Sequence, residues 1–222
     1  MVGPRVPGPA TGGRGKHKYH CWLDACALMD DTMKAMNATT VPTLTGPHVT
    51  LRAVQPEDEQ ARLSLGWYAA IQRNYGNQAQ TRQMTPAEAR TWYGQQQARA
   101  ADPSGRHWLI EAEGRLVGGV GLDSLREMDR KAHFVIGMFA PSHMRRGFGT
   151  EATRLVLDHA FRSMNLNRVD LRVLAFNDGA IASYRKCGFV QEGRERESCW
   201  LDGQWHDDII MGILATEFPG PG

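Results

Sequence analysis

The chain has 222 residues, of which 41% are hydrophobic and 23% are charged, and 26 basic residues against 24 acidic ones leave a formal net charge of +2. This length suffices for one domain with a substantial core and a short additional segment. So small an excess of positive charge gives no electrostatic reason to expect nucleic acid or an anionic membrane as a partner. No apolar run reaches the roughly 18 residues that a membrane-spanning helix requires, so we predict no membrane span.

The cysteine content of the chain argues against a fold held together by disulfides. Four cysteines are present: Cys21, Cys26, Cys187 and Cys199. They are too sparse for a disulfide framework, and no apolar segment of a secretory signal follows the basic N-terminus, so we expect a cytoplasmic protein. His17 and His20 lie beside the first two cysteines, but their spacing matches no common zinc finger, and we predict no metal.

The first 45 residues are predicted to lie outside the main domain. Residues 1–15 are rich in Gly and Pro without periodicity, which predicts disorder, whereas residues 16–35 have the apolar spacing of a short helix. A linker rich in Thr, Pro and Gly covers residues 37–47. We therefore expect an extension and linker over residues 1–45 and one domain over residues 46–218. That the extension docks the protein on a partner is a separate hypothesis.

The first half of the domain is predicted to contain one strand followed by two helices. Residues 48–54 alternate between the two faces of a strand. Pro56 and the acidic residues after it begin a helix that we extend to about Gln72. A second helix begins at Thr85, with Pro86 as its first residue and Glu88 placed to complete a capping box, and it runs to about Ala100.

The second half is predicted to alternate strands with helices. Strands are expected over residues 107–112, 115–122, 132–139, 168–174, 190–198 and 204–214. Helices are expected over residues 147–162 and 177–186, and Gly188 ends the second of them. This order predicts an α/β fold built on a single mixed central sheet.

A basic, glycine-containing turn between strand 132–139 and the following helix is the first candidate site. Free backbone N–H groups at the positive end of a helix dipole form an anion site, and Gly147 and Gly149 allow a phosphate to approach the backbone closely. Arg145 and Arg146 add formal charge, so a pyrophosphate is the expected ligand. Neither a Walker loop nor a dinucleotide fingerprint is present. The alternative is an ordinary helix N-terminus with solvated arginines.

A second motif, over residues 177–189, reads N-D-G-A-I-A-S-Y-R-K-C-G-F. Together the two stretches resemble the GCN5-related N-acetyltransferase (GNAT) superfamily, whose motifs are Q/R-x-x-G-x-G/A and N-x-x-A-x-x-x-Y-x-K-x-G-F. The resemblance covers roughly residues 46–216 and implies a mostly antiparallel central sheet flanked by helices. The first position of the loop motif departs from the pattern, because it is Met144. Residues 51–58 and 202–214 resemble the branch that contains the ribosomal-protein N-terminal acetyltransferases.

The resemblance implies an acetyl-CoA-dependent N-acetyltransferase without a metal. The backbone of Gly137, Met138 and Phe139 would pair with the pantetheine arm and polarise the thioester carbonyl. The implied pyrophosphate turn comprises Arg145, Arg146, Gly147, Phe148, Gly149 and Thr150. Asn177 would hydrogen-bond the pantetheine, and Tyr184 would be the catalytic residue near the sulfur. On general grounds Asn177 could simply cap a helix and Tyr184 could simply pack against the core.

The reaction needs few side chains beyond these. Backbone N–H groups can stabilise the oxyanion, and a tyrosine hydroxyl can protonate the departing thiolate. A base must also take the proton of the ammonium group, directly or through water. Four charged or titratable residues near predicted strand ends remain open as candidates: Asp123, His133, Glu192 and Asp207.

The acceptor is expected to be the primary amine of a small molecule or of a protein N-terminus, and a homodimer is compatible with the sequence. Acidic residues in the last hairpin hint at a cationic acceptor: Glu195, Glu197, Asp202, Asp207 and Asp208. Aromatic residues on the two early helices are expected mainly in the core, with one or two in the acceptor pocket: Trp67, Tyr68, Trp92 and Tyr93. The alternative function is a catalytically weak module that binds or senses acyl-CoA, which Met144 favours slightly.

Overall fold

The computed structural model describes residues 41–220. The strands are β1 Leu44–Thr45, β2 Val49–Arg52, β3 Arg106–Ala112, β4 Arg115–Arg126, β5 Lys131–Met138, β6 Arg168–Leu174, β7 Val190–Leu201 and β8 Gln204–Leu214. The α-helices are α1 Asp58–Leu65, α2 Ala69–Arg73, α3 Pro86–Ala101, α4 Phe148–Asp158 and α5 Asp178–Lys186. The predicted helix over residues 16–35 lies outside the described residues. No described helix is long and apolar enough to cross a membrane.

All eight strands form one sheet in the order β1-β2-β3-β4-β5-β6-β8-β7. Every neighbouring pair is antiparallel except β5 and β6, which run parallel. The predicted fold class, one mixed and mostly antiparallel sheet flanked by helices, is therefore confirmed. The parallel pair is joined only from Lys131 to His133 on β5, although both strands continue further, so they separate beyond that point.

The described residues 41–47, which we assigned to a linker, take part in the fold. Leu44 pairs with Leu51 in the strand ladder, and Val41 is buried. The indole Nε1 of Trp108 donates a hydrogen bond of 2.8 Å to the carbonyl of Pro42. Strand β1 was not apparent from the sequence because two residues are too short for a periodic pattern, and the pairing with β2 creates the strand.

The single helix that we predicted to run to about Gln72 was wrong, since the chain forms α1 and α2 with a break at Gly66. This glycine has φ 69° and ψ −165°, a backbone conformation that does not continue a helix. A Cβ at this position would lie 2.9 Å from the carbonyl oxygen of Arg82. The break lets Trp67 pair with Arg82 through two backbone hydrogen bonds of 2.8 and 3.0 Å.

Helix α3 confirms the capping box that the sequence predicts. The Thr85 side chain accepts a hydrogen bond from the backbone N–H of Glu88, and the Glu88 carboxylate accepts one from the backbone N–H of Thr85. Arg82 forms a forked ion pair with the same carboxylate, and this pairing together with the Thr85 contacts lowers the pKa of Glu88 to about 2. The Glu88 carboxylate of the capping box therefore stays ionised through most of the acidic pH range.

Helix α4 is shorter than predicted, because a π-helical turn over His159–Ser163 replaces its last residues. Ala152 and Val156 of the helix and Ala160 of the π-helical turn are fully buried. They pack in the main core, to which the sheet contributes Trp108, Ile110, Val120, Leu122, Phe134 and Val169. This core holds α4 against one face of the sheet.

The opposite face of the sheet carries a second, smaller core beneath α3. Trp92 of α3 packs with Leu109, Leu116 and Phe139. Because side chains alternate along a strand, Leu109 and its neighbour Trp108 face opposite sides, so α3 and α4 lie on opposite faces of the sheet. A gap between two strands of such a sheet is consequently accessible from two sides.

Candidate functional site

A cleft of about 940 Å³ opens where β5 and β6 separate. Its walls come from these two strands, from the turn before α4, from α5 and from α2. Separated strands leave backbone N–H and C=O groups without ladder partners, and such groups require a partner from solvent or a ligand. The cleft therefore offers a strand edge to a bound molecule in the middle of the sheet.

The open edge of β5 is defined by its pairing with β4. The Phe139 N–H donates to the Val117 carbonyl at 2.9 Å, and Gly137 is the register partner of Gly119 on the same strand. Since ladder groups alternate in direction, Ile136 and Met138 must direct their N–H groups away from β4, towards the cleft. The Tyr75 hydroxyl donates to the Ile136 carbonyl at 3.2 Å, in agreement with this direction.

Phe139 does not reach the cleft, in contrast to its implied role. Its N–H is occupied by Val117, and its ring is buried in the second core, edge-on to Trp92 with the ring centroids 5.7 Å apart. Gly137 and Met138 do line the cleft. The N–H of Ile136 faces the open edge although the motif did not include this residue, because only the pairing with β4 decides which residues face that edge.

The turn before α4 has the backbone shape of an anion site. Arg145 at φ 59° and Gly147 at φ 86° both lie in the left-handed region, and Gly147 is the N-cap of an 11-residue helix. The first N–H groups of α4 have no partner within the helix, and the helix dipole is positive at this end. A Cβ added at Gly149 would come no closer than 3.9 Å to another atom, the Cδ1 of Ile136, which is an ordinary van der Waals contact. Space therefore remains above the backbone at this position.

The two arginines of the turn have different surroundings. Arg145 lines the cleft together with Gly147, Phe148, Gly149 and Thr150. Arg146 instead forms an ion pair with Glu113 and lies over the Phe148 ring at 4.7 Å. The structure thus brings Arg145 to the expected pyrophosphate position but not Arg146. Met144, which replaces the usual Gln or Arg, also lines the cleft.

Asn177 and Tyr184 face the cleft from α5. The Asn177 side chain accepts a hydrogen bond of 3.3 Å from the Ala180 N–H as the N-cap of the helix, which leaves its amide NH₂ able to donate elsewhere. The Tyr184 ring packs edge-on against Phe134 and Phe189, at centroid distances of 6.2 and 5.8 Å. Burial, with a contribution from Cys187, raises the pKa of Tyr184 above its ordinary value, so the phenol remains protonated at neutral pH.

Neither described cysteine is a competent nucleophile. Cys187 is fully buried, its thiol donates to the Thr150 carbonyl at 3.5 Å, and burial raises its pKa to about 11. Cys199 is also buried, and burial raises its pKa as well. A thiol attacks as the thiolate, which these surroundings disfavour. The described part of the chain contains no cluster of three His, Cys, Asp or Glu residues suited to a metal, and His17, His20, Cys21 and Cys26 lie outside it.

The four candidate bases divide into two pairs. Asp123 and His133, which are partners across β4 and β5, both line the cleft. Glu192 is paired with Arg168 on the sheet edge, and Asp207 accepts from Arg194 and from the Glu197 backbone. These last two carboxylates do not line the cleft.

The acidic hairpin is less negative than its sequence suggests. Asp202 pairs with Arg73 at 2.8 Å, Asp207 pairs with Arg194, and Glu195 pairs with Arg172. Of the five acidic residues, only Asp208 lines the cleft, where it is almost completely buried. Sequence alone does not reveal this neutralisation because the arginine partners are 13, 23 and 129 positions away, and only folding brings them to the carboxylates.

Part of the cleft wall comes from Ile71 of α2 and from Asn74 and Tyr75, which follow the helix. The early aromatic residues are mainly core, as expected: Trp67 and Trp92 are buried. Arg62 is also buried, between the rings of Trp67 and Phe139, at 5.0 and 4.9 Å from their centroids. Desolvation lowers the pKa of Arg62 to about 10, which still leaves it charged at neutral pH.

Known proteins share both the sequence pattern and this architecture. A family model described as the Acetyltransferase (GNAT) domain matches residues 48–190. Spermidine N(1)-acetyltransferase of Vibrio cholerae serotype O1 is 33% identical over 118 residues, which are 53% of this chain and 68% of that protein. YdaF of Bacillus subtilis, a proposed ribosomal N-acetyltransferase, is 26% identical over 182 residues, which are 78% of this chain and 94% of that protein.

A solved structure extends the similarity to three dimensions. Spermidine N-acetyltransferase from Vibrio cholerae, crystallised in complex with CoA and spermine, superposes with a TM-score of 0.65 at 27% sequence identity. The match covers 78% of this chain and 98% of that chain. The chain therefore belongs to the GNAT acetyltransferase family, and it is an acetyl-CoA-dependent N-acetyltransferase.

Proposed function

We propose that this enzyme transfers the acetyl group of acetyl-CoA directly to a primary amine of a small molecule or of a protein N-terminus. The observation that carries the proposal is the cleft between β5 and β6, which has an anion-binding turn at one end and a protonated phenol in its wall. A thioester bound along the open edge of β5 would lie between these two features. Direct attack is favoured because the two described cysteines are buried and protonated.

In this proposal the backbone holds the substrate and a few side chains move protons. The turn from Arg145 to Thr150 binds the pyrophosphate, and the Asn177 amide donates to the pantetheine arm. The N–H groups of Ile136 and Met138 donate to the thioester oxygen, whose negative charge increases as the amine attacks. The Tyr184 hydroxyl donates a proton to the departing thiolate.

The acceptor side of the cleft supports a positively charged amine. Asp123 and Asp208 line the cleft, so an approaching ammonium group would meet carboxylates. Similarity to spermidine N-acetyltransferases supports a polyamine, and similarity to a proposed ribosomal N-acetyltransferase supports a protein N-terminus. Two free, buried cysteines support the expected cytoplasmic location. The homodimer remains part of the proposal without a specific contact.

An acceptor panel tests this proposal. The panel contains spermidine, an aminoglycoside, free amino acids and short peptides with a free N-terminus, and the readout is the release of free thiol from acetyl-CoA. We expect at least one amine to accelerate thiol release above the rate with acetyl-CoA alone. Tight binding of acetyl-CoA without acceleration by any amine would favour the acyl-CoA-sensing module instead.

A further inference from the structure

A histidine and an aspartate form a pair at the point where β5 and β6 begin to separate. His133 and Asp170 are register partners in the parallel ladder, and the imidazole Nδ1 lies 2.7 Å from the Asp170 carboxylate. Both side chains are about one-third exposed, at 31% and 29%, and His133 lines the cleft. The last rung of the ladder thus places an oriented imidazole in the lining of the cleft.

The carboxylate fixes which ring nitrogen of His133 carries the proton. Burial acts to raise the pKa of Asp170, but the hydrogen bond from His133 and the charges of His133, Arg168 and Lys131 outweigh it, so its pKa lies below the ordinary value. Ionised Asp170 can only accept, which assigns the hydrogen to Nδ1 of His133. The lone pair of Nε2 is then left for a proton from the cleft, an arrangement used by histidine bases that a carboxylate orients.

We propose that His133, oriented by Asp170, is the general base that removes the proton of the acceptor ammonium group, directly or through one water. This inference rests on the proposed amine acetylation and names a residue for a step that the motifs leave open. Ile136, whose N–H faces the cleft, is three residues further along β5, or about 10 Å at roughly 3.3 Å per residue. The imidazole side chain of His133 and one water together cover most of the distance from the His133 backbone to the Ile136 N–H.

The other three candidates are weaker bases or lie elsewhere. Asp123 lines the cleft, but it is bonded to Nε2 of His107 at 2.6 Å. Although burial opposes the effect, this bond and nearby positive charges hold the pKa of Asp123 below its ordinary value. A carboxyl group ordinarily titrates at about 3.9 and an imidazole at about 6.5, so the imidazole side chain is the better acceptor near neutrality. Glu192 and Asp207 are engaged by arginines outside the cleft.

The protons of the reaction balance with these groups. One proton of the ammonium group goes to Nε2 of His133 and then to solvent. The neutral amine attacks the carbonyl carbon, so a C–N bond forms and the C–S bond breaks. The thiolate takes a proton from the Tyr184 hydroxyl. As the amide forms, the nitrogen loses its second proton, and this proton restores the Tyr184 phenol. The third proton remains on the amide nitrogen.

A pH dependence of the acetyl-transfer rate can be assigned to His133 only after the other charged groups around it are considered. Charged or titratable neighbours are contributed by β5 itself, by β4 and β3 on one side, by β6 and β7 on the other, and by α3. They are Lys131, Asp123, His107, Asp170, Arg168, Glu192 and Arg99. His107 and His143, of which His143 also lines the cleft, belong to the residue type whose charge ordinarily changes between pH 5 and 8. His107→Gln and His143→Gln variants must therefore be measured beside the His133 variants.

The test compares single-turnover acetyl transfer in three variants, with spermidine or the best acceptor of the panel as the probe. His133→Asn should lower the rate at pH 7 by about 10²-fold or more, in the range typical of a lost general base, without changing the affinity for acetyl-CoA. Asp170→Asn should give a smaller loss, because the imidazole remains but loses its orientation. His48→Asn is the matched control, since His48 also pairs with a carboxylate, that of Glu151 at 3.0 Å, but is 73% exposed and outside the cleft.

Two further measurements separate a base from a structural residue. Added imidazole should restore part of the rate of a His133→Ala variant, and a hydrazide acceptor, already neutral at pH 7, should be less sensitive to His133→Asn than an alkylamine. A His133→Asn rate within twofold of wild type, or no imidazole rescue of a folded His133→Ala variant, would overturn the inference. If the wild type acetylates no amine, the proposed function itself fails, so the two failures are distinguishable.

Discussion

The residues of the cleft fall into those whose position follows from local sequence and those whose position depends on a distant partner. Gly147 and Asn177 were predictable because a left-handed turn and an N-cap are decided within a few residues. The outward position of Arg146 was not, because Glu113 captures it from the turn between two other strands. The His133–Asp170 pair was equally hidden, since the sequence places its members 37 positions apart.

Gly149→Asp tests the pyrophosphate turn. The position has open space and lies in the first turn of α4, where a carboxylate interacts favourably with the helix dipole, so the free protein should be as stable as wild type or more stable. The same carboxylate would repel a pyrophosphate at close range, so we expect no thermal stabilisation by millimolar acetyl-CoA, in contrast to wild type.

The uncharged Gly149→Asn variant controls for size. It should retain more of the acetyl-CoA stabilisation than Gly149→Asp, because only the charge differs between the two side chains. Wild-type stabilisation in Gly149→Asp would mean that the pyrophosphate binds elsewhere.

Tyr184→Phe tests the proposed acid. The ring and its contacts with Phe134 and Phe189 remain, so acetyl-CoA affinity and thermal stability should change little. The single-turnover rate should fall at least roughly tenfold, because an acid at this step typically contributes about 10²–10⁴-fold. Single-turnover measurement is required because slow product release would mask the loss in kcat. An unchanged rate would leave Tyr184 as a packing residue.

The secondary-structure elements were predictable where their ends carry a local signal. Helix α3 begins where Thr85 and Glu88 predict it, and β6 has the predicted bounds. The break at Gly66 was missed because a glycine within a helical pattern is ambiguous until Arg82 pairs with Trp67. The end of α4 was misplaced for a related reason, since the residues of the π-helical turn keep the apolar pattern of a helix.

Thr85→Ala measures the contribution of the capping box. Loss of an N-cap hydroxyl ordinarily lowers stability by about 0.5–2 kcal/mol, and we expect a decrease in this range in urea unfolding. Glu88 has a folded pKa of about 2, below its ordinary value, so its contribution is present above the ordinary pKa and is lost as the pH falls towards 2. The effect of Thr85→Ala should therefore persist at pH 5. Thr91→Ala, on the exposed side of the same helix, is the control. If Thr91→Ala lowered the free energy of unfolding as much as Thr85→Ala, the capping box would have no stabilising role of its own.

The function of the whole molecule depends on how the two halves of the sheet separate. Beyond His133 and Asp170 no rung joins β5 to β6, so the cleft interrupts the sheet between two faces covered by different helices. The motifs predicted the side of the cleft formed by α4 and α5, since their residues are contiguous in the chain. On the acceptor side, tertiary packing decides which individual residues of α2, β6 and β8 reach the cleft.

The most direct test of amine acetylation in this cleft is the stoichiometry of the products. The enzyme is incubated with acetyl-CoA and the best acceptor of the panel, and the free thiol and the acetylated amine are quantified in the same sample by absorbance and mass spectrometry. We predict one amide formed for each thiol released, and neither product above background with Gly149→Asp. Thiol release without an equal amount of amide, or equal products from Gly149→Asp and wild type, would contradict the account.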